Sequence, residues 1–275
     1  MRLIMPELPE VETVVRGLEP VLAGQRLKAV HLKRPDLRRP MPADLPRRLK
    51  GARIIGLERR AKYGLIHTDR GDTVIFHLGM SGRMRIDPPH LGPHDHVIFE
   101  TDHGHVVSLQ DPRRFGSVDL CRTADLAQAT GLAGLGPEPL DRHFNAKALE
   151  MALAKRSGPI KTVLLDQRVV AGLGNIYVCE ALFESHIHPE RPAESLKAAE
   201  IALLVRAIKA VLKKAIKAGG SSLRDHRQPD GQLGYFQHQF RVYGRGGAPC
   251  PGCGGLIRRM VQAGRSSFYC PKCQH

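Results

Sequence analysis

The sequence predicts an α+β chain: a β-rich first half, a helical second half and a small metal-held hairpin at the C-terminal end. Three observations carry this expectation. Between Arg53 and Cys121, short β-prone runs alternate with turn signals, the pattern of an antiparallel sandwich or barrel. From Asn145 onward, apolar residues recur at helical spacing. Near the end, Cys250 and Cys253 form one C-x-x-C and Cys270 and Cys273 another, with sixteen residues between them, a spacing that brings four thiolates to the corners of a tetrahedron around Zn²⁺.

The first element is a helix. Val11, Val14, Val15, Leu18 and Leu22 share one apolar face and Gly24 follows where the helix should end. Pro6 and Pro9 suit its start, and Glu7 and Glu10 lie where the helix macrodipole favours carboxylates. Pro6 also follows a second methionine, Met5. An internal proline nitrogen is an amide and attacks nothing. If translation starts at Met5 and that methionine is trimmed, Pro6 has instead a free secondary amine with a pKa near about 8. Such an amine condenses with an aldehyde to a cationic iminium.

The strands expected next are Ile54-Ile55, Gly64–His67, Thr73–Phe76, Val97–Phe99 and His105–Val107, with turns at Asp69–Asp72 and Asp102–Gly104. Gly134–Pro139 reads as a linker. Helices follow over Asn145–Lys155, Ile160–Gln167, Ile176–His186 and Glu194–Lys217, the last closed by Gly219-Gly220. Between two of these lies Val169–Asn175, whose glycines allow a tight turn and whose following helix presents free N–H groups, a combination that suits either a phosphate or a plain helix–helix turn.

Composition narrows the partner. A formal charge of +15 and a pI near 9.9 favour a polyanion, with nucleic acid the leading candidate. The basic residues are interspersed with Asp, Glu, His and Pro, without an amphipathic anchor, and no apolar run approaches membrane-spanning length. No signal-peptide core precedes the first helix, so a reducing cytosol is expected and disulfides are disfavoured. Zinc bound by four cysteines would be structural, since no position remains open for water. Cys121 and Cys179 stand alone in apolar surroundings and read as core. The pairs His94/His96 and His186/His188 have metal-like spacing, but no acidic cluster completes either.

Six ordered motifs together resemble the formamidopyrimidine-DNA glycosylase family: Pro6–Glu12, Arg59–Tyr63, His77–Gly82, Asp111–Phe115, Gly174–Tyr177 and the four-cysteine finger. The resemblance runs from Met5 to the C-terminus. It implies an N-terminal antiparallel β-sandwich flanked by helices over 5–136, a helix-two-turn-helix DNA-binding domain over 137–238 and a four-cysteine zinc finger over 239–275. It further implies a glycosylase and abasic-site lyase acting on oxidised purines in duplex DNA as a cytoplasmic, nucleoid-associated monomer. Pro6 would be the nucleophile and Glu7 the acid/base. Lys62 matches a lysine pointing into the active site, Asn175 a phosphate clamp and Arg265 the arginine at the finger's hairpin tip; Lys161 and His94 are further DNA contacts. Met80, Arg113 and Phe115 match the set that fills the space left by an extruded nucleotide. Gly219–Tyr235 resembles the loop that closes over the flipped base. Read without the family, Met80 and Phe115 would be core, Lys62 an exposed strand lysine, and Arg113 and Arg265 solvated. A sister family acting on oxidised pyrimidines shares the proline, glutamate and finger, and a non-catalytic zinc-ribbon DNA-binding protein would be the reading if the Pro6 amine is blocked. The Glu-Leu-Pro-Glu wording and the intact Met80, Arg113, Phe115 set favour the purine-directed branch. The family's reading frame begins at the methionine before the proline, so Met5 rather than Met1 is the expected start.

Overall fold

The computed structural model describes residues 5–221, 229 and 231–275. The contacts divide the chain into two units: Met1–Ala133 with Ala218–Tyr235, and Gly134–Lys217 with Phe236–His275.

In the first unit, helix α1 (Leu8–Leu22) forms where the apolar stripe predicts it, and Val11, Val14, Val15, Leu18 and Leu22 are all buried. Its start is a reciprocal capping box, in which Glu7 N–H donates to Glu10 Oε2 at 2.9 Å and the Glu7 side chain accepts from the Glu10 N–H. Strand β1 (Leu27–Leu32) and a short helix α2 (Leu45–Leu49) follow, neither of them anticipated. Both are short, and polar or prolyl residues interrupt their apolar positions.

The remaining strands are β2 (Ile54–Arg60), β3 (Tyr63–Thr68), β4 (Asp72–His77), β5 (Arg83–Ile86), β6 (Asp95–Thr101), β7 (Val106–Gln110) and β8 (Ser117–Arg122). They build two four-stranded antiparallel sheets, in the orders β1-β6-β7-β5 and β2-β3-β4-β8. One apolar core of side chains from α1, α2 and all eight strands, including Phe76, Phe99, Leu109 and Leu120, fills the sandwich.

Ala218–Tyr235 belongs with this unit rather than with the 137–238 segment. Hydrogen bonds hold it there: Ser221 N–H donates to Glu10 Oε1 at 2.7 Å and Ile86 N–H to the Pro229 carbonyl at 3.1 Å. Residues 222–228 and 230 of the loop expected to close over the base lie outside the described residues.

The second unit carries α3 (Ala146–Leu153), α4 (Ile160–Leu165), α5 (Asn175–Glu184) and α6 (Ala198–Lys217), then the hairpin β9 (Arg258–Gln262) and β10 (Arg265–Tyr269). The finger shares one cluster with α5, since Cys179 and Phe183 pack with Val242, Cys250, Ile257 and Cys270. Glu180, buried on α5, accepts N–H bonds from Arg241, Val242 and Tyr243 at 2.8–3.0 Å. Those bonds anchor the approach to the finger, and burial still pushes the Glu180 carboxyl above its ordinary pKa. No helix among the described residues is long and apolar enough to cross a membrane.

Candidate functional site

Pro6 is buried at the N-terminal end of α1, flanked by Glu7 at 4% exposure and Glu10 at 2%. Glu10, which the motif reading left without a role, joins the backbone beside Pro6 to Ser221 through its two carboxylate oxygens. Its one available signal was position: it is the N3 glutamate of a capping box.

Met5, bonded to Pro6, lines a cavity of about 590 Å³ together with Leu37, Arg38, Gly79, Met80, Arg113, Arg114 and Phe115. The three residues expected to fill a void therefore share one cavity with the flank of the expected nucleophile. Neither Met80 nor Phe115 is core: Met80 is half-buried and Phe115 is 38% exposed. The Arg113 guanidinium lies 4.6 Å from the Phe115 ring centroid, a cation–π stack.

Lys62 is not an exposed strand lysine. With Ala61 it forms the two-residue turn between β2 and β3, and it is only 9% exposed. Ala61 takes a positive φ of 54°. Arg59 braces that turn by donating to the Ala61 carbonyl at 3.0 Å and to Glu12 of α1 at 2.8 Å. The conformation at the lysine is therefore set by a residue three positions earlier and by the first helix.

His77 is a site residue that the motif contained and the reading passed over. Its ring is 4.8 Å from that of Tyr63, and its Nδ1 accepts the Gly79 N–H at 3.0 Å. The neutral ring must then carry its proton on Nε2. Burial, followed by the positive fields of Lys62, Arg38 and Arg39, pushes its pKa down to about 4. Because the folded value lies below the ordinary 6.5, the unfolded chain binds more protons in this window, so the histidine's contribution to stability is held above pH 6.5 and is lost as pH falls toward 4. NMR should find the Nε2–H tautomer from about pH 5 to 8. A ring titration centred near 6.5 would refute this environment.

In the second unit, Lys161 and Asn175 converge on one carbonyl. Lys161 Nζ donates to Ser266 O at 3.1 Å and Asn175 Nδ2 to the same oxygen at 2.9 Å. Lys161 is fully buried, and Asn175 is the first residue of α5 after Gly174. Gln167 secures the glycine turn before it, accepting from Gly172 N–H at 2.8 Å and donating to Leu173 O at 2.9 Å. Arg265, next to Ser266, is exposed immediately after the Ala263-Gly264 turn, whose two positive φ angles of 46° and 73° are those of a tight hairpin. A buried lysine, a helix N-terminus and an exposed arginine thus meet at one stretch of β10.

His94 is exposed immediately before β6, its ring 6.2 Å from that of His96. His96 is buried against the Asp111 carbonyl, while His186 bonds the Cys273 carbonyl and His188 packs on Tyr269. Among the described residues, the only grouping of His, Cys, Asp and Glu able to hold a metal is Cys250, Cys253, Cys270 and Cys273, with ligand atoms all within 4.8 Å of one another. Cys250 and Cys273 sulfurs are 3.8 Å apart and those of Cys253 and Cys270 3.5 Å. A tetrahedral Zn–S bond of about 2.3 Å requires sulfurs roughly 3.8 Å apart. The four fit one structural zinc ion. Cys179 is core, as expected; Cys121 is only half-buried.

Three family models match in order: the formamidopyrimidine-DNA glycosylase N-terminal domain over residues 5–118, the H2TH domain of the same glycosylase over 135–227, and a zinc finger found in FPG and IleRS over 247–275. A formamidopyrimidine-DNA glycosylase of Novosphingobium aromaticivorans is 58% identical over 98% of this chain and 100% of its own length. The chain belongs to the formamidopyrimidine-DNA glycosylase family. Among solved structures, the MutM (Fpg) protein of Thermus thermophilus superimposes with a TM-score of 0.88 at 41% identity, covering 98% of each chain. A mutant Lactococcus lactis Fpg, solved in complex with Fapy-dG-containing DNA, gives 0.90 at 37% identity over 98% of this chain and 100% of its own. The formamidopyrimidine-DNA glycosylase architecture of sandwich, helical domain and cysteine finger is therefore the architecture of this chain.

Proposed function

We propose that this formamidopyrimidine-DNA glycosylase excises oxidised purines, 8-oxoguanine and formamidopyrimidines, from duplex DNA and then cuts the strand at the resulting abasic site. The observation that carries the reading is the cavity shared by Met5, Met80, Arg113 and Phe115, which joins the flank of a nucleophile to a set of wedge side chains. A base inside a duplex is out of reach, so the nucleotide must be extruded and its place filled. Met80 and Phe115 wedge the stack, and Arg113 hydrogen-bonds the orphaned cytosine.

With its amine free, Pro6 attacks C1′ of the extruded nucleoside. The N–C1′ bond forms, the glycosidic bond breaks and the base departs with a proton. Glu7 hands a proton to the sugar ring oxygen as the ring opens, leaving an iminium between Pro6 and C1′. The iminium acidifies C2′–H, and loss of that proton expels the 3′ phosphate; loss of C4′–H from the resulting conjugated iminium then expels the 5′ phosphate. Cationic Lys62 and neutral His77, a donor through Nε2–H, form a flank for phosphate at the first unit. Asn175 and Arg265 serve the backbone from the second, whereas Lys161, expected as a DNA contact, is fully buried and acts through the Ser266 carbonyl; His94 is a further DNA contact. Zinc takes no part in the chemistry; it holds the hairpin that presents Arg265. The enzyme acts as a monomer on nucleoid DNA.

Single-turnover excision from matched duplexes tests the lesion class. Release of 8-oxoguanine opposite cytosine should exceed release of thymine glycol by about tenfold, ~1.4 kcal/mol in transition-state discrimination. Preference for thymine glycol would assign the chain to pyrimidine repair instead.

A further inference from the structure

We propose that Asp111 is a positioning residue that sets the register of Met80 against Arg113 and Phe115. The inference rests on the wedge reading above and adds the group that organises the wedge. Asp111 follows β7 and is fully buried. Its backbone is fixed on both sides: its N–H donates to the His94 carbonyl at 2.9 Å, and its own carbonyl lies 3.0 Å from His96 Nε2. Its carboxylate divides between two loops. Oδ1 accepts the Ser81 hydroxyl at 2.6 Å, beside Met80, and Oδ2 accepts the Gly116 N–H at 2.7 Å, beside Phe115.

The loops also meet backbone to backbone. Gly79 has a φ of +63°, and a Cβ there would lie 2.3 Å from the Phe115 carbonyl carbon. Gly116 O in turn accepts the Arg38 N–H at 3.1 Å, which ties in a third wall of the cavity. Met80 and Phe115 are 35 positions apart in sequence. Their separation in space is therefore a matter of which atoms clamp the loops, and the Asp111 carboxylate is the side chain that touches both. A wedge displaced by about an ångström enters the base stack badly, and such misplacement costs on the order of 10- to 100-fold in rate.

Three variants separate positioning from general destabilisation. Ser81→Ala cuts only the link to the Met80 loop. Asp111→Ala cuts both links. Asp111→Asn can keep both, because its amide oxygen accepts from Gly116 and its amide nitrogen donates to the Ser81 oxygen. The readout is the ratio of two single-turnover rates, one for 8-oxoguanine excision from a matched duplex and one for cleavage of a preformed abasic site in single-stranded DNA, which needs no wedge. Ser81→Ala and Asp111→Ala should lower this ratio about tenfold or more, with Asp111→Asn restoring it. Equal slowing of both substrates, or an unchanged ratio in Ser81→Ala, overturns the proposal even if Asp111→Ala fails to fold. Met80→Ala and Phe115→Ala serve as the reference. If they shift the ratio while the Ser81 and Asp111 variants do not, the positioning role is wrong and the wedge reading stands; if they leave it unchanged, the wedge reading itself falls.

Discussion

A chain beginning at Pro6 should form a borohydride-trapped covalent adduct with 8-oxoguanine DNA, and the same chain with its Pro6 nitrogen acylated, or with Met1–Met5 retained, should form none. Amide resonance removes the nitrogen lone pair, so nothing short of freeing it restores the nucleophile. A free prolyl amine with an ordinary α-amino pKa near 8 is unprotonated in roughly a tenth of molecules at pH 7.

The expected loss is on the order of 10⁴-fold or more in strand cleavage, the scale on which removal of a nucleophile acts. DNA affinity should change by only a few-fold, because the phosphate contacts assigned to Asn175 and Arg265 do not involve the amine. Pro6→Gly is a poor control, since a terminal glycine also has an amine. Mass spectrometry of the natively expressed protein reads the terminus directly, and a mature chain that retains Met1 yet still cleaves would refute the role of Pro6.

Zinc removal should act by a different route, through DNA binding. The finger has a small core of its own: Cys250, Ile257 and Cys270 reach across to Cys179 and Phe183 for burial. A segment of this size needs a metal or disulfides to fold. Two of its thiols resist ionising. Cys273, through its hydrogen bonding with Cys253 and then through burial, has its pKa pushed up to about 12, burial raises that of Cys270 as well, and a divalent cation offsets the cost of holding thiolates there.

Chelation, or Cys253→Ser, should therefore release one zinc per chain and melt the β9–β10 hairpin. Arg265 then loses its place, and Lys161 and Asn175 lose the Ser266 carbonyl that orients them. Affinity for lesion DNA should fall by about 100-fold, or roughly 2.7 kcal/mol, with the first unit's far-UV signal retained. Colorimetric zinc release alongside a binding titration checks both numbers. Full affinity in zinc-free protein would show that the finger does not hold the DNA.

Much of this architecture is legible in local pattern. The apolar stripe of α1, the turn glycines between strands and the paired C-x-x-C knuckles each report on neighbours a few residues away, where side-chain geometry follows from backbone period alone. Strands β1, β5 and β8 and helix α2 escaped because they are short and their burial comes from partners distant in sequence. Leu27 and Val30 are buried because β1 pairs with β6, which no nearby residue announces. Read without the family, Lys62 looks like an exposed strand lysine for the same reason: its place in a turn depends on Arg59, Ala61 and Glu12 acting together. His77 went unassigned because its depressed pKa arises from burial and from charges on other segments.

By itself the sequence determined the class of chemistry: a proline able to become a terminal amine beside Glu7, four metal-spaced cysteines and a polyanion-seeking charge. Only the tertiary structure decided how those parts are held. It placed Ser221 on Glu10, Lys161 and Asn175 on Ser266, and the Met80 and Phe115 loops on Asp111. The reason is physical. Residue type sets what an atom can donate, accept or attack, whereas the pairing of buried donors with acceptors tens to hundreds of positions away is settled only when the core closes and each must find a partner.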